Sequence, residues 1–149
     1  MSREIALSVL LLAATALWAL SACGISNQRS SRVPSEVEEV VAAIGNNINQ
    51  ERYEQIYNDS SSLWKQDVTL EQSNDVFKTL RSKLGKVENR SLHSATEQQN
   101  SGGALKGHAF ILSYETRFER GAGMETFTLI EEEGRWRLAR YLVNSTDLK

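Results

Sequence analysis

Apolar residues recur three and four positions apart in the first half of the chain and at every second position in the last third. Val37, Val40, Val41, Ile44 and Ile48 form one helical stripe. Ser35 follows Pro34 and stands three residues before Glu38, the spacing of a capping box that opens this helix. Asn46, Asn47, Asn49 and Gln50 weaken its end, and the stripe restarts out of phase at Tyr53, Ile56 and Tyr57, so the pattern predicts a break near Asn49 and a second short helix. Leu63, Trp64 and Val68 either extend that helix or form a separate turn after Asp59-Ser60-Ser61-Ser62. Thr69 and Gln72 make another capping box, before a helix expected to turn Leu70, Val76, Phe77, Leu80 and Leu84 inward and to stop at Gly85.

Beyond Gly85 the period is two. Residues 86–99 are mostly polar around Leu92 and read as an edge strand, followed by a loop at 100–103. The strand at 107–119 sets Phe110, Leu112, Tyr114, Thr116 and Phe118 on one face and Ile111, Ser113, Glu115 and Arg117 on the other. A turn centred on Gly121-Ala122 would pair Tyr114 with Leu129, Thr116 with Phe127 and Phe118 with Glu125. Glu133-Gly134 makes a tight hairpin that sets Leu129 against Leu138 and Glu131 against Trp136. The expected class is α+β, with N-terminal helices packed on a four-stranded antiparallel sheet over residues 36–149.

The N-terminus reads differently. An apolar run from Ile5 to Ala22 ends in Leu20-Ser21-Ala22-Cys23, which contains the only cysteine. This resembles a bacterial lipoprotein signal peptide, residues 1–22, cut before Cys23. The resemblance implies a lipoprotein whose Cys23 thiol carries a diacylglycerol, with palmitate or similar acyl chains holding the protein on a membrane. An uncleaved anchor, or a signal peptide that leaves a free thiol, are the other readings; no Lys or Arg cluster follows the run as a stop-transfer signal. Residues 24–35 are polar and read, with Cys23, as a tether. Gly24 after the cysteine lacks the acidic residue associated with inner-membrane retention, so by analogy the expected place is the outer membrane of the cell envelope, facing the periplasm. The net charge of −2 disfavours nucleic acid as a partner.

Tyr53, Tyr57, Trp64, Leu84-Gly85-Lys86-Val87, Tyr114-Glu115-Thr116-Arg117-Phe118, Glu125-Thr126-Phe127-Thr128-Leu129 and Trp136-Arg137-Leu138-Ala139-Arg140-Tyr141 together resemble the nuclear-transport-factor-two-like (cystatin-like) superfamily over residues 53–144. More narrowly, the chain is similar to small exported bacterial proteins grouped as a domain of unknown function. The resemblance implies a strongly curved sheet wrapped into a cone with an internal cavity. Members range from isomerases and cyclases to non-catalytic binding and dimerising modules, so the site must decide function. Members often have Gly before the last Tyr, where this chain has Arg140.

Tyr57, Trp64, Tyr114, Glu125 and Arg140 are the candidate cavity residues. Glu125 and Arg140 share the apolar face by strand parity and lie diagonally across two strands, within reach of an ion pair. Alternatively, a bulge at Ala139-Arg140 turns Tyr141 inward and leaves Arg140 in water. An unpaired Glu125 in an apolar cavity would be able to act as a base, with Tyr57 or Tyr114 as proton donor. A deep cavity holding a carboxyl group beside an aligned hydroxyl would favour that isomerase- or cyclase-like enzyme. His93 and His108 lack any ligand at metal spacing, and the glycines sit at turns rather than at helix starts. The expectation is therefore no metal, no cofactor and no catalytic residue. The chain would be a lipid-anchored module that binds a small apolar ligand or assists assembly, or else a structural subunit forming a homodimer through Ala109, Ile111, Ser113, Thr126, Thr128 and Ile130.

Overall fold

The computed structural model describes residues 27–29, 32–103 and 105–149. Residues 1–22, read above as a signal peptide, and Cys23 lie outside them. Helices α1 (Ser35–Asn49), α2 (Tyr53–Asp59), α3 (Ser62–Asp67) and α4 (Leu70–Leu84) come first. Strands β2 (Val87–Asn100), β3 (Gly107–Phe118), β4 (Gly121–Glu132) and β5 (Arg135–Asn144) follow as an antiparallel meander. The α+β expectation is met. Within the segment read as a tether, Asn27–Arg29 forms a short strand β1, paired with Glu97, Gln98 and Gln99 on the outer edge of β2.

The register slips by one residue between Val87 and Asn89, between Leu92 and Ser94, and opposite Thr128 and Leu129. Each such bulge bends its strand and adds twist, which curves the sheet around the helices. One face of α1 buries Val37, Val41, Ile44 and Ile48, and α4 adds Phe77, Leu80 and Leu84. These pack on Phe110, Leu112, Phe127, Leu129 and Leu138 of the concave face. The strand parity expected for β3 holds, as does the Glu133-Gly134 hairpin with Leu129 opposite Leu138 and Glu131 opposite Trp136. Both hairpin residues have positive φ, as a two-residue turn between twisted strands requires.

Several local expectations are corrected. Pro34, not Ser35, occupies the N-cap of α1, and no side chain caps it; the Ser35 hydroxyl faces the neighbouring Glu36. The Thr69/Gln72 box does form, with both of its hydrogen bonds in place. On α4, Leu70 and Val76 are exposed and Ser73 takes the inward position. The β3–β4 register is displaced by four residues: Phe118 opposes Gly121, Tyr114 opposes Glu125 and Leu112 opposes Phe127. The turn is Glu119-Arg120, fastened to the end of α4. The Arg120 amide donates to Leu84 O at 2.9 Å, and its guanidinium reaches the carbonyls of Arg81, Ser82 and Lys83. The carbonyls of Ser82, Lys83 and Leu84 are ones that a helix end leaves without partners, whereas Arg81 O also accepts from the Gly85 amide at 3.0 Å. Gly121 and Gly123 serve another purpose: a Cβ would stand 2.5 Å from Asp147 Oδ2 at Gly121 and 2.7 Å from Asn144 O at Gly123, so they admit the C-terminal segment.

On the convex face, Ala109, Ile130 and Ala139 pack under Leu63 of α3 and Leu105 of the β2–β3 loop. This part of the face proposed for dimerisation is covered from within the chain.

Candidate functional site

Glu125 is 0% exposed, midway along β4 on the concave face. Its Oε2 accepts from Arg90 Nε at 2.5 Å and from Thr116 Oγ1 at 2.6 Å. Its Oε1 accepts from Arg90 Nη2 at 2.9 Å and from Tyr141 Oη at 2.5 Å. A carboxylate has about four lone-pair sites, and four donors fill them. The Arg90 fork is bidentate, the strongest geometry available to this pair.

Each donor is placed by a local feature. Thr116 comes from β3 by the alternation that also buries Tyr114 and Phe118. Tyr141 faces inward because Ala139 is an extra residue: Leu138 opposes Leu129, but Arg140 opposes Thr128 and Tyr141 opposes Phe127. Arg90 comes from β2, and its guanidinium lies 5.3 Å above the Phe127 ring and crosses α1 at Gly45. A Cβ at Gly45 would stand 2.1 Å from Arg90 Nη1, so any larger residue there would push the guanidinium off its present seat on Glu125; the glycine that avoids this costs about 1 kcal/mol inside a helix.

The electrostatics follow from burial. Desolvation opposes the charge on Arg90, but the hydrogen bonds to Glu125 and its negative charge outweigh it and raise the Arg90 pKa. Burial, then the charge of Glu125 and the hydrogen bond to it, push the Tyr141 hydroxyl well above its ordinary value. Tyr114 is raised too, by burial, by Glu38 and by Glu125, against a lowering by Arg90.

The sequence-derived candidates do not assemble into one site. Arg140 is exposed, and the pair expected between it and Glu125 is replaced by Arg90–Glu125; the bulge that was the alternative is the arrangement found. Tyr114 stacks edge-on to Phe127 at 5.9 Å, and the hydroxyls on Glu125 belong to Thr116 and Tyr141. Trp64 is buried, donating from Nε1 to Ser73 Oγ at 3.2 Å, with its ring 6.2 Å from Phe77. Tyr57 is half-buried on α2, with Lys65 Nζ 5.9 Å from its ring. Arg90 was missed because residues 86–99 show little alternation. A glycine in the middle of the α1 stripe was the available cue that something crosses there.

Glu125 lies in packed core: Tyr141 is 5.1 Å from Phe127 and 5.4 Å from Phe77, centroid to centroid. The open concavities are lateral. A groove of about 410 Å³ between α1 and β2 reaches Gly45, Arg90 and Tyr114. Another of about 580 Å³ between α4 and β5 is lined by Val76, Leu80, Leu142, Val143 and Leu148. A recess of about 250 Å³ lies between α1, α2 and β5. His108 bridges Glu97 at 2.8 Å and Glu131 at 3.2 Å, while His93 lies 3.3 Å from Glu115 at the surface. Among the described residues no group of three or more His, Cys, Asp or Glu is arranged to hold a metal ion, and no helix is long and apolar enough to cross a membrane.

A family model described as a protein of unknown function, DUF4019, matches residues 41–141. The chain belongs to the DUF4019 family. No curated protein matches it. The DUF4019 match runs from α1 into β5 and takes in Gly45, Arg90, Thr116, Glu125 and Tyr141.

Proposed function

We propose that this DUF4019 protein is a lipid-anchored, non-catalytic binding or accessory module of the bacterial cell envelope, held by acylated Cys23 on the outer membrane facing the periplasm. The observation that carries the non-catalytic reading is the saturation of Glu125. A general base must accept a proton from a reacting group within hydrogen-bond reach. All four acceptor positions of Glu125 are filled from within the fold, and the group has no exposed surface. The nuclear-transport-factor-two-like resemblance agrees with this reading, since that superfamily includes binding modules built on the same order of helices and strands. The anchor is supported by Leu20-Ser21-Ala22-Cys23 at the end of the apolar run.

Two measurements test the proposal. Cys23→Ser should abolish acyl labelling and partitioning into detergent; equal labelling of wild type and variant overturns the anchor. Incubation of the purified protein with extracted envelope metabolites, followed by mass spectrometry, should show compounds retained and none consumed. Consumption that requires Glu125 overturns the binding reading in favour of an enzyme pairing Glu125 with the Tyr141 hydroxyl, which is aligned on it.

A further inference from the structure

We infer that the recess between α1, α2 and β5 is a binding site for a small amphiphilic carboxylate, a compact apolar body carrying one anionic head; this rests on the binding reading above. The recess holds about 250 Å³, just under the ~300 Å³ at which drug-sized pockets begin, so its ligand is small. Its apolar lining comes from Val40 and Ile44 of α1, Ile56 of α2, and Trp136 and Leu138 of β5.

The polar lining is rich in unused donors. Asn47 is 8% exposed, and its Oδ1 accepts from Arg52 Nε at 3.0 Å. That bond fixes the orientation of the amide and leaves Nδ2 as a donor with no acceptor among the described residues. Water reaches this Nδ2, and a ligand acceptor would replace that water. Arg135 and Arg137 stand beside it in the lining. Arg137 Nη1 reaches the Asp59 carbonyl at 3.3 Å, and neither guanidinium has a carboxylate partner among the described residues. Glu132, across the hairpin from Arg135, is taken up by the Ser62 amide and hydroxyl. Asp59, the acid of the lining, accepts at Oδ2 from Gln55 Nε2 at 2.8 Å. Three donors over an apolar floor select an acceptor with a charge opposite to arginine and a hydrocarbon tail or ring.

The test uses the full chain, isotope-labelled and kept in detergent, titrated with octanoate, 1-octanol and octylamine while amide resonances are followed. Octanoate should shift the Asn47 side-chain amide and the Trp136 indole N–H, with binding at least about tenfold tighter than for 1-octanol or octylamine. The Arg135→Gln/Arg137→Gln double variant, altered at the rim only, should weaken octanoate by about tenfold or more. Asn47→Asp keeps the acceptor for Arg52 and should abolish octanoate binding. Equal binding of octanoate and octanol, or unchanged binding by the arginine variant, overturns the carboxylate site. Shifts confined to Val76, Leu142 and Leu148 also overturn it, while leaving a binding module that uses the α4–β5 groove.

Discussion

Replacing Glu125 by Gln tests the central contact with little change in shape. Glu125 has no solvent exposure and the Arg90 side chain has 12%, so the substitution leaves a guanidinium almost wholly buried without its counter-charge. Breaking one half of a buried pair costs about 3 to 5 kcal/mol. The opening of the α1–β2 groove onto Arg90 admits some water, which places the expected loss near about 3 kcal/mol. With a urea slope of about 2 kcal/mol per molar, the midpoint should fall by roughly 1.5 M. Arg90→Met, which strands the carboxylate instead, should lose a similar amount. The double variant should lose about 2 kcal/mol less than the two single losses together, because it removes both charges. A midpoint shift under about 0.3 M for Glu125→Gln, or additive losses in the double variant, would refute the claim that these four hydrogen bonds organise the core.

Gly45→Ala in a helix interior would ordinarily stabilise by up to about 1 kcal/mol, but here the new Cβ meets Arg90 Nη1. We expect a net loss in the same urea melts, and a gain would show that Arg90 does not cross at Gly45. Tyr141 has its folded pKa raised above the unfolded value of about 10, so its contribution is complete below that pH and is lost as pH rises through the folded value. Tyr141→Phe should therefore lower stability at neutral pH yet flatten its decline between about pH 10 and 12, leaving the smaller contributions of Tyr53 and Tyr114; an unchanged alkaline slope refutes this assignment.

The elements were legible where periodicity was strong and a terminator was local. The stripe from Val37 to Ile48, the Thr69/Gln72 box, Gly85 and the Glu133-Gly134 hairpin all declare themselves within a few residues. The β3–β4 register was not legible, because glycines that admit a distant segment have the same composition as glycines that make a turn. Glu119-Arg120 becomes the turn through contacts with the end of α4, a partner distant in sequence. Glu125 could be singled out as an acid on an apolar face. Its true partner could not, since Arg90 lies in the strand with the weakest alternation and is aligned by two bulges there.

The extra residue at Ala139 makes β5 unequally tolerant of length changes along its course. Loss of that single codon would join Leu138 to Arg140, which already stand opposite the neighbouring residues Leu129 and Thr128, so Tyr141 would stay opposite Phe127 and keep its bond to Glu125. The bend and the packing of Ala139 on Ala109 and Ile130 would be lost, but not the phase of the strand. Loss of a codon at Leu142 or Val143, where the pairing is regular, has no such spare residue to draw on and would turn the side chains beyond it to the opposite face. One-residue deletions in this strand should therefore be found at the bulge and not beyond it.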